Sequence, residues 1–261
     1  MLLEVRKVSM IFGGLAALKE VDFRLEEGEI LGLIGPNGAG KTTLFNVVTS
    51  FLNPSAGEIF FSGEKISGLR THEITNLGIS RTFQNIRLFD QMTVEENVMV
   101  GRHTRSRAGV WNSVWRTGFQ KKEEARIREK TDELLDLVGL QGHNQSPASS
   151  LPYGFQRRVE IARALAGEPR LILLDEPVAG MNDSETEEMA RLIKKILGFG
   201  ITILLIEHDM RLVMNLCERI YVLEYGQVIA EGAPDQVRTN PQVIEAYMGE
   251  EVMVEGLGVR D

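Results

Sequence analysis

The sequence of 261 residues predicts an α/β fold built on a parallel sheet, and three observations point to it. Short and almost wholly apolar runs occur at 30–34, 171–174 and 201–206, which is typical of parallel strands covered by helices on both faces. Segments with apolar residues at three-to-four spacing, 41–51 and 185–197, alternate with these runs as helices would. Hydrophobic residues make up 43% and charged residues 25%, which is the balance of an ordinary globular protein.

A smaller antiparallel β layer is predicted at the start of the chain. Residues 2–8 and 20–25 alternate apolar and polar side chains, as half-buried strands do, and a glycine pair at 13–14 interrupts the pattern. Towards the other end, 220–223 and 228–230 flank a glycine and indicate a hairpin.

The middle of the chain has a mostly helical pattern. Thr93 is followed three residues later by Glu96, which is the spacing of a capping box at a helix start. Residues 121–138 indicate one long amphipathic helix. We therefore expect a helical subdomain at about 86–165, inserted into the α/β core.

The predicted organisation is a single domain over 1–250. Its core and β layer come from 1–85 and 166–250, and residues 251–261 are expected to form a flexible tail whose role the sequence does not indicate.

Charge and cysteine content limit the classes of partner. With 29 basic and 37 acidic residues the net charge is −8, which disfavours nucleic acid as a partner. The basic stretch 102–122, with Trp111 and Trp115, could contact phosphate or nucleic acid, or it could form a solvated face whose two tryptophans dock a loop. The single cysteine, Cys217, is expected to be a small core residue in a reducing compartment. Since no secretory signal and no apolar run of membrane-spanning length is found, we expect a cytoplasmic protein that reaches the membrane through partners.

A phosphate-binding loop is the strongest local motif. It matches G-x-x-x-x-G-K-[ST] between an apolar strand and a helix, where glycines let backbone N–H groups point at phosphates and the helix N-terminus attracts anions. Lys41 should contact the β and γ phosphates of ATP, Thr42 should bind Mg²⁺, and Thr43 should contact the α phosphate. The residues predicted to bind nucleotide here are Gly35, Pro36, Asn37, Gly38, Ala39, Gly40, Lys41, Thr42 and Thr43.

Two carboxylates follow the apolar run at 171–174. At the carboxyl edge of a parallel sheet, Asp175 could hold Mg²⁺, and Glu176 could orient and deprotonate the attacking water. His208 follows the run at 201–206 and emerges at the same edge, where it could contact the γ phosphate. The other histidines, which lie in polar settings and are expected at the surface, are His72, His103 and His143.

Two further residues complete the predicted site. Gln84 lies where the core gives way to the helical region, and it could link the γ-phosphate state to rotation of that region and contribute to the metal site. Phe12 lies in the β layer, where its ring could stack on adenine or be buried in that layer.

Taken in order, these motifs resemble the ATP-binding cassette (ABC) family over residues 3–249. The resemblance implies an ABC-type P-loop ATPase with a RecA-like core, working as a head-to-tail dimer. Each ATP would be held by one phosphate loop and by the signature segment of the other subunit, including Gly154 and Phe155 in trans. Pro152 and Phe155 depart from the usual Leu-Ser-Gly-Gly-Gln signature. Backbone N–H groups around Gly154–Gln156 are therefore expected to bind ATP in place of the lost side chains, and whether both sites are equally active stays open.

A finer resemblance is to the LivG-type ATPases of branched-chain amino acid importers. It rests on 81–89, the tryptophan-bearing segment near 105–118, 157–165, 206–210 and 240–249. It implies a second cassette (a homodimer or a LivF-like heterodimer), two transmembrane permease subunits and, indirectly, a periplasmic or extracellular binding protein.

The same resemblance implies that a groove with Leu88, Phe89 and Met92 receives a short helix of the permease, although this apolar cluster could equally be core.

Three other functions stay open at this point. ATPases of lipid or lipopolysaccharide exporters have a similar core. A soluble mechanical ATPase on nucleic acid or ribosomes usually has coiled-coil inserts or two cassettes in one chain. A small-molecule kinase would not explain the placement of Glu176 and His208.

Overall fold

The computed structural model describes residues 1–102 and 118–247, without the side chains of 118–124. Within them the chain divides into two compact units, the first comprising 1–74 and 173–247 and the second 75–172. Trp111, Trp115 and the predicted tail lie outside the described residues.

The first unit contains the predicted antiparallel layer. Its strands lie in the spatial order β2 (Leu15–Leu25), β1 (Leu3–Phe12), β4 (Ala56–Phe61) and β5 (Glu64–Lys65). β1 and β2 pair antiparallel from Leu3 opposite Leu25 to Phe12 opposite Leu15, so the glycine pair forms the turn of a hairpin longer than predicted. β4 and β5 were not predicted.

The central sheet of the first unit contains the predicted parallel strands. The spatial order is β10 (Gln227–Gly232), β9 (Arg219–Glu224), β3 (Ile30–Ile34), β8 (Thr202–Ile206) and β7 (Leu171–Asp175). β3 pairs in parallel with both β8 and β9. β9 and β10 form the predicted hairpin. Every residue of β3, β7 and β8 is buried, which explains why these strands are apolar apart from Asp175 and Thr202 at their ends.

Helices of the first unit follow the strands. The helix predicted at 41–51 ends at Val48, and Ser50 adopts a positive φ of 55° that stops it. The helix predicted at 185–197 begins at Asp183 because Asn182 and Glu185 form a capping box. The helices are α1 (Lys41–Val48), α2 (Thr71–Leu77, which contains the boundary at 74), α6 (Asp183–Gly198), α7 (Met210–Leu216), α8 (Pro234–Arg238) and α9 (Pro241–Tyr247).

The second unit is mostly helical and encloses the range 86–165. Thr93 and Glu96 form the predicted capping box, in which Thr93 N–H donates to Glu96 Oε2 at 2.8 Å and Glu96 N–H to Thr93 Oγ1 at 3.2 Å. The elements are β6 (Ile79–Arg81), α3 (Val94–Arg102), α4 (Gly118–Leu137), a 3₁₀ turn (Ala148–Ser150) and α5 (Tyr153–Ala166).

Cys217 is buried in the first unit, which confirms its interpretation as a core residue. Its Sγ lies 2.9 Å from where a Cβ on Gly32 would be, so a larger residue at that position of β3 would displace the Cys217 side chain. Burial raises the pKa of the Cys217 thiol to about 12.

Among the helices of the described residues, none combines the length and the apolar character that crossing a membrane requires.

Candidate functional site

The phosphate loop joins β3 to α1 and is held by backbone of the β9–β10 hairpin. Gly226 N–H donates to the Ala39 carbonyl at 2.9 Å. Gly35 has φ +151°, and a Cβ there would lie 2.0 Å from the Leu223 carbonyl oxygen. At Gly40, φ +107°, a Cβ would lie 2.7 Å from a carbonyl oxygen of β2. Gly35 and Gly40 are therefore required both by backbone conformation and by the close approach of neighbouring strands.

The lysine and threonines of the motif lie in the first turn of α1. Lys41 is buried, and its Nζ donates to the carbonyls of Gly35 at 2.5 Å and Pro36 at 3.0 Å. Thr42 is exposed and Thr43 is half-buried. The ammonium is thus placed within the loop, and the Thr42 side chain is accessible at the helix N-terminus.

The two carboxylates at the end of β7 have different surroundings. Asp175 is the last residue of the strand and is buried. Glu176 has a positive φ of 49°, which is unfavourable for a residue with a Cβ, and its N–H donates to the Ile206 carbonyl at the end of β8. His208 Nε2 lies 2.7 Å from Glu176 Oε1. The structure therefore brings Glu176 and His208 into contact at the carboxyl edge of the sheet.

Glu207 is a site residue that the sequence analysis missed. Its side chain is buried and accepts the backbone N–H of Val178 at 2.9 Å and of His208 at 3.1 Å. Burial raises the pKa of this carboxyl to about 7, although the backbone N–H groups it accepts lower it. The carboxyl therefore holds the loop after Glu176 and the loop of His208 together. A lone acidic residue beside a histidine gave no signal of this role.

Phe12 ends β1, and its neighbours Ile11 and Leu15 are also exposed. Phe12 is 44% exposed, so the alternative that it is buried in the β layer is wrong. Its ring is accessible to a stacking partner.

In the second unit, Gln84 is exposed and its backbone is fixed by α5. The Gln84 carbonyl accepts Arg157 Nη2 at 2.7 Å, and the preceding Phe83 carbonyl accepts Arg157 Nη1 at 2.5 Å. Arg157 was not singled out from the sequence. The only signal for it was its spacing of three residues from Glu160 on one helix.

The signature segment forms the start of α5. Pro152 is the N-cap and provides no side-chain cap, while Gly154 and Phe155 are half-buried. The N–H groups of Phe155 and Gln156 donate to the Pro152 carbonyl at 2.9 and 3.0 Å. The expectation that the N–H groups at 154–156 are all available to ATP is therefore wrong for two of them, because the helix already uses them.

The Phe155 ring is packed within the second unit. His143 meets it edge-on with ring centroids 5.5 Å apart, and the Arg158 guanidinium lies 5.6 Å from its centroid. His143 is half-buried, and His72 is exposed as expected. His103 lies outside the described residues.

The predicted groove residues precede α3. Phe89 is 48% exposed, and Leu88 and Met92 are half-buried. Asn97 is fully buried, accepts the Phe89 N–H at 2.9 Å and donates to the Phe89 carbonyl at 3.1 Å. The exposed ring of Phe89 is therefore presented by a backbone that Asn97 holds in place.

The first unit thus combines an anion-binding loop, a buried aspartate and a carboxylate–imidazole pair. A glycine-rich loop at a helix N-terminus binds phosphates, and a carboxylate at the sheet edge can accept a proton from water. This arrangement can bind a nucleoside triphosphate and promote attack of water on it.

Comparison with protein families gives two matches. Residues 18–179 match the family model "ABC transporter", and residues 227–252 match "Branched-chain amino acid ATP-binding cassette transporter".

Two curated proteins are similar over nearly the whole chain. The chain is 44% identical over 250 residues to the high-affinity branched-chain amino acid transport ATP-binding protein LivG of Escherichia coli K12, covering 95% of this chain and 98% of that protein. It is 36% identical over 248 residues to the probable branched-chain amino acid transport ATP-binding protein LivG of Archaeoglobus fulgidus, covering 95% of this chain and 95% of that protein.

Solved structures give the same fold. An ATP-binding cassette of an ABC transporter in its ADP conformation has a TM-score of 0.84 and 34% identity, covering 95% of this chain and 99% of that one. A dimeric post-hydrolysis cassette bound to ADP and phosphate has a TM-score of 0.76 and 28% identity, covering 89% and 98%.

Proposed function

The chain belongs to the ABC transporter family, and from that premise we propose that it is the ATP-hydrolysing subunit of an importer for branched-chain amino acids. The solute follows from the names of the similar proteins and from the match at 227–252. The exporter alternative has no support in these names. The observation that carries the hydrolytic part is the 2.7 Å contact between Glu176 and His208 beside the phosphate loop.

Nucleotide binding is assigned to the loop at 35–40 and the first turn of α1. Backbone N–H groups and the α1 N-terminus attract the phosphates, and Lys41 adds a positive charge already placed within the loop. Thr43 contacts the α phosphate, and the exposed Phe12 ring stacks on the adenine.

The metal is proposed to be Mg²⁺, held with the nucleotide. The Thr42 hydroxyl and the Asp175 carboxylate are hard oxygen donors of the kind Mg²⁺ takes. The proposal of Gln84 as a third donor rests on the family resemblance alone, since Gln84 belongs to the second unit. When bound, Mg²⁺ neutralises charge on the phosphates.

Hydrolysis is assigned to Glu176 with His208 as its partner. A carboxylate oxygen of Glu176 accepts the proton of the attacking water, and His208 Nε2 holds that side chain at 2.7 Å. Glu207 stabilises the position of His208, because its carboxyl accepts a hydrogen bond from the backbone N–H of His208.

Assembly is proposed to be a dimer of cassettes with a permease. Gly154 and Phe155 contribute in trans to the ATP site of a second cassette as part of the N-terminus of α5, and not through the Phe155 ring or N–H, which are already engaged. The second cassette is either a copy of this chain or a related LivF-like subunit. The dimeric cassette among the similar structures supports this. Two permease subunits hold the cassettes at the cytoplasmic face of the membrane and connect them to a periplasmic or extracellular binding protein.

Docking of a permease helix is assigned to the surface formed by Leu88, Phe89 and Met92. The 48% exposure of an aromatic ring at Phe89 supports this, as a large apolar side chain on a fixed backbone is suited to contact a partner.

The ATPase assignment is tested with Glu176→Gln, which keeps the shape of the side chain and removes its basicity. We expect the variant to bind ATP, to lose hydrolysis and to form a dimer with Mg-ATP in size-exclusion chromatography with light scattering. Glu187→Gln, at a side chain 75% exposed on α6, is the control and should behave as wild type. Unchanged hydrolysis in Glu176→Gln would contradict the assignment.

The solute is tested in vesicles that contain the chain with its permease subunits. Uptake of labelled leucine should require ATP and should be lost in Glu176→Gln. ATP-dependent extrusion of the solute would contradict the import proposal. Uptake that unlabelled leucine, isoleucine and valine do not reduce would contradict it as well.

A further inference from the structure

Charged side chains occupy one face of α5, at positions 157, 160 and 163, and they meet the segment 83–89. Arg157 and Glu160 are both fully buried, and Arg157 Nη1 lies 2.7 Å from Glu160 Oε2. Further along, the Arg163 guanidinium lies 6.0 Å from the centroid of the Phe89 ring. An apolar helix face would pack here without the cost of removing charges from water, so the charges indicate a need for specific hydrogen bonds.

Those hydrogen bonds go to the backbone around Gln84. Arg157 donates to the carbonyls of Phe83 and Gln84, at 2.5 and 2.7 Å. Glu160 Oε1 accepts the N–H of Phe83 at 3.2 Å. The Phe83 peptide groups are thus held on both their donor and acceptor sides, and the planar guanidinium sets the orientation of two successive carbonyls.

The same guanidinium also reaches the exposed start of α5. Tyr153 is the first residue of the helix and is 45% exposed. Its hydroxyl accepts Arg157 Nη2 at 3.2 Å, and the guanidinium carbon lies 5.9 Å from the centre of its ring. One side chain therefore connects the first turn of the signature helix to the backbone of Gln84.

We propose that Arg157 is a positioning residue for Gln84, and that its contact with Tyr153 makes the Gln84 backbone follow the first turn of α5. The inference rests on the proposed function, in which the Gln84 side chain reaches the Mg²⁺ of one ATP and the start of α5 meets the ATP of the second subunit.

The experiment measures ATP hydrolysis by the full chain at saturating ATP while Mg²⁺ is titrated. Arg157→Lys keeps the positive charge beside Glu160 but lacks the fork that serves two carbonyls. We expect the Mg²⁺ concentration for half-maximal rate to rise about tenfold, as for one lost charged hydrogen bond, while ATP binding without Mg²⁺ stays within about twofold of wild type. Gln84→Ala should give a similar rise, and combining it with Arg157→Lys should add little.

Two further variants keep the test decisive. Tyr153→Phe removes one hydroxyl from a half-exposed side chain and should raise the Mg²⁺ requirement about threefold, even where Arg157→Lys does not fold. Arg102→Lys is the control for an arginine–glutamate pair in the same unit, because Arg102 lies 2.7 Å from Glu168 and also donates to a carbonyl, at a more exposed position than Arg157. It should leave the Mg²⁺ requirement unchanged.

The outcomes separate the two proposals. A wild-type chain without ATP hydrolysis overturns the proposed function. An active wild type overturns the positioning role if Tyr153→Phe and every folded Arg157→Lys sample titrate as wild type does. An equal shift in Arg102→Lys, or effects of Gln84→Ala and Arg157→Lys that multiply in the double variant, also overturns it.

Discussion

Glu207 makes the folding stability of the chain depend on pH in a way that one substitution should abolish. The side chain is 4% exposed, and it accepts the N–H groups of Val178 and His208. Burial raises the pKa of its carboxyl from 4.5 to about 7, because the charged form loses its hydration. The perturbation is Glu207→Gln, which cannot ionise.

The magnitude follows from the difference between the two pKa values of Glu207. The pKa rises from 4.5 to about 7, a difference of about 2.5 units, and at about 1.4 kcal/mol per unit this corresponds to about 3 kcal/mol. Because Glu207 binds its proton more tightly in the folded chain than in the unfolded chain, its contribution to the free energy of unfolding is fully present below about pH 4.5. That contribution is lost as the pH rises through about 7. Most of the loss, about 2 to 3 kcal/mol, falls between pH 5 and 8.

The assay is urea unfolding followed by circular dichroism at pH 5, 6, 7 and 8. The free energy of unfolding of wild type minus that of Glu207→Gln should fall by about 2 to 3 kcal/mol across this range. Glu187→Gln, whose side chain is 75% exposed, should give a difference that does not change with pH. Parallel pH curves for wild type and Glu207→Gln would refute the assignment of a raised pKa to the buried carboxyl.

Three other predictions concern single residues. Gly35→Ala should abolish ATP binding, measured by fluorescent nucleotide titration, because the new Cβ would lie 2.0 Å from a carbonyl oxygen of β9. Gly63→Ala is the control, because Gly63 also has a positive φ but open space around it. This variant should bind ATP normally and lose only about 1 kcal/mol of stability. Cys217, buried with a pKa raised to about 12, should react with a thiol reagent only after unfolding, and labelling of the native chain at pH 8 would contradict its burial. Asn97→Ala should cost about 1 to 3 kcal/mol, because it removes the acceptor of the Phe89 N–H in the segment before α3, whereas the Phe89 carbonyl keeps the Met92 N–H as a donor. Limited proteolysis should then cut that segment first, and a wild-type pattern would argue against the role of the amide.

The elements that were predicted well are those with a local signal. The strand at 30–34 and the helix that starts at Lys41 are indicated both by the spacing of their apolar residues and by the phosphate-loop motif between them. The pair Thr93 and Glu96 indicates where a helix begins. The strand at Ala56–Phe61 was missed, because it begins with exposed residues and exists through antiparallel pairing with β1, about 50 residues earlier.

The candidate site divides in the same way. The phosphate loop and the placement of Asp175 and Glu176 at a strand end depend on residues close together in the sequence. The contact of Glu176 with His208 was expected only as a shared sheet edge, and its 2.7 Å distance depends on how two strands align. The signature segment was only partly anticipated, because the Pro152 carbonyl takes two of the N–H groups expected to bind ATP.

By itself, the sequence determined the fold class, the nucleotide chemistry and the family, because loop glycines, strand-end carboxylates and apolar periods act over short stretches of chain. Only the tertiary structure decided which polar residues are buried. Arg157 and Glu207 are ordinary charged residues in the sequence, yet both lose their water and hold backbone groups of other segments. Burial depends on residues distant along the chain, so the local sequence does not show that these two are buried, and the spacing of Arg157 from Glu160 indicates a pair but not its burial.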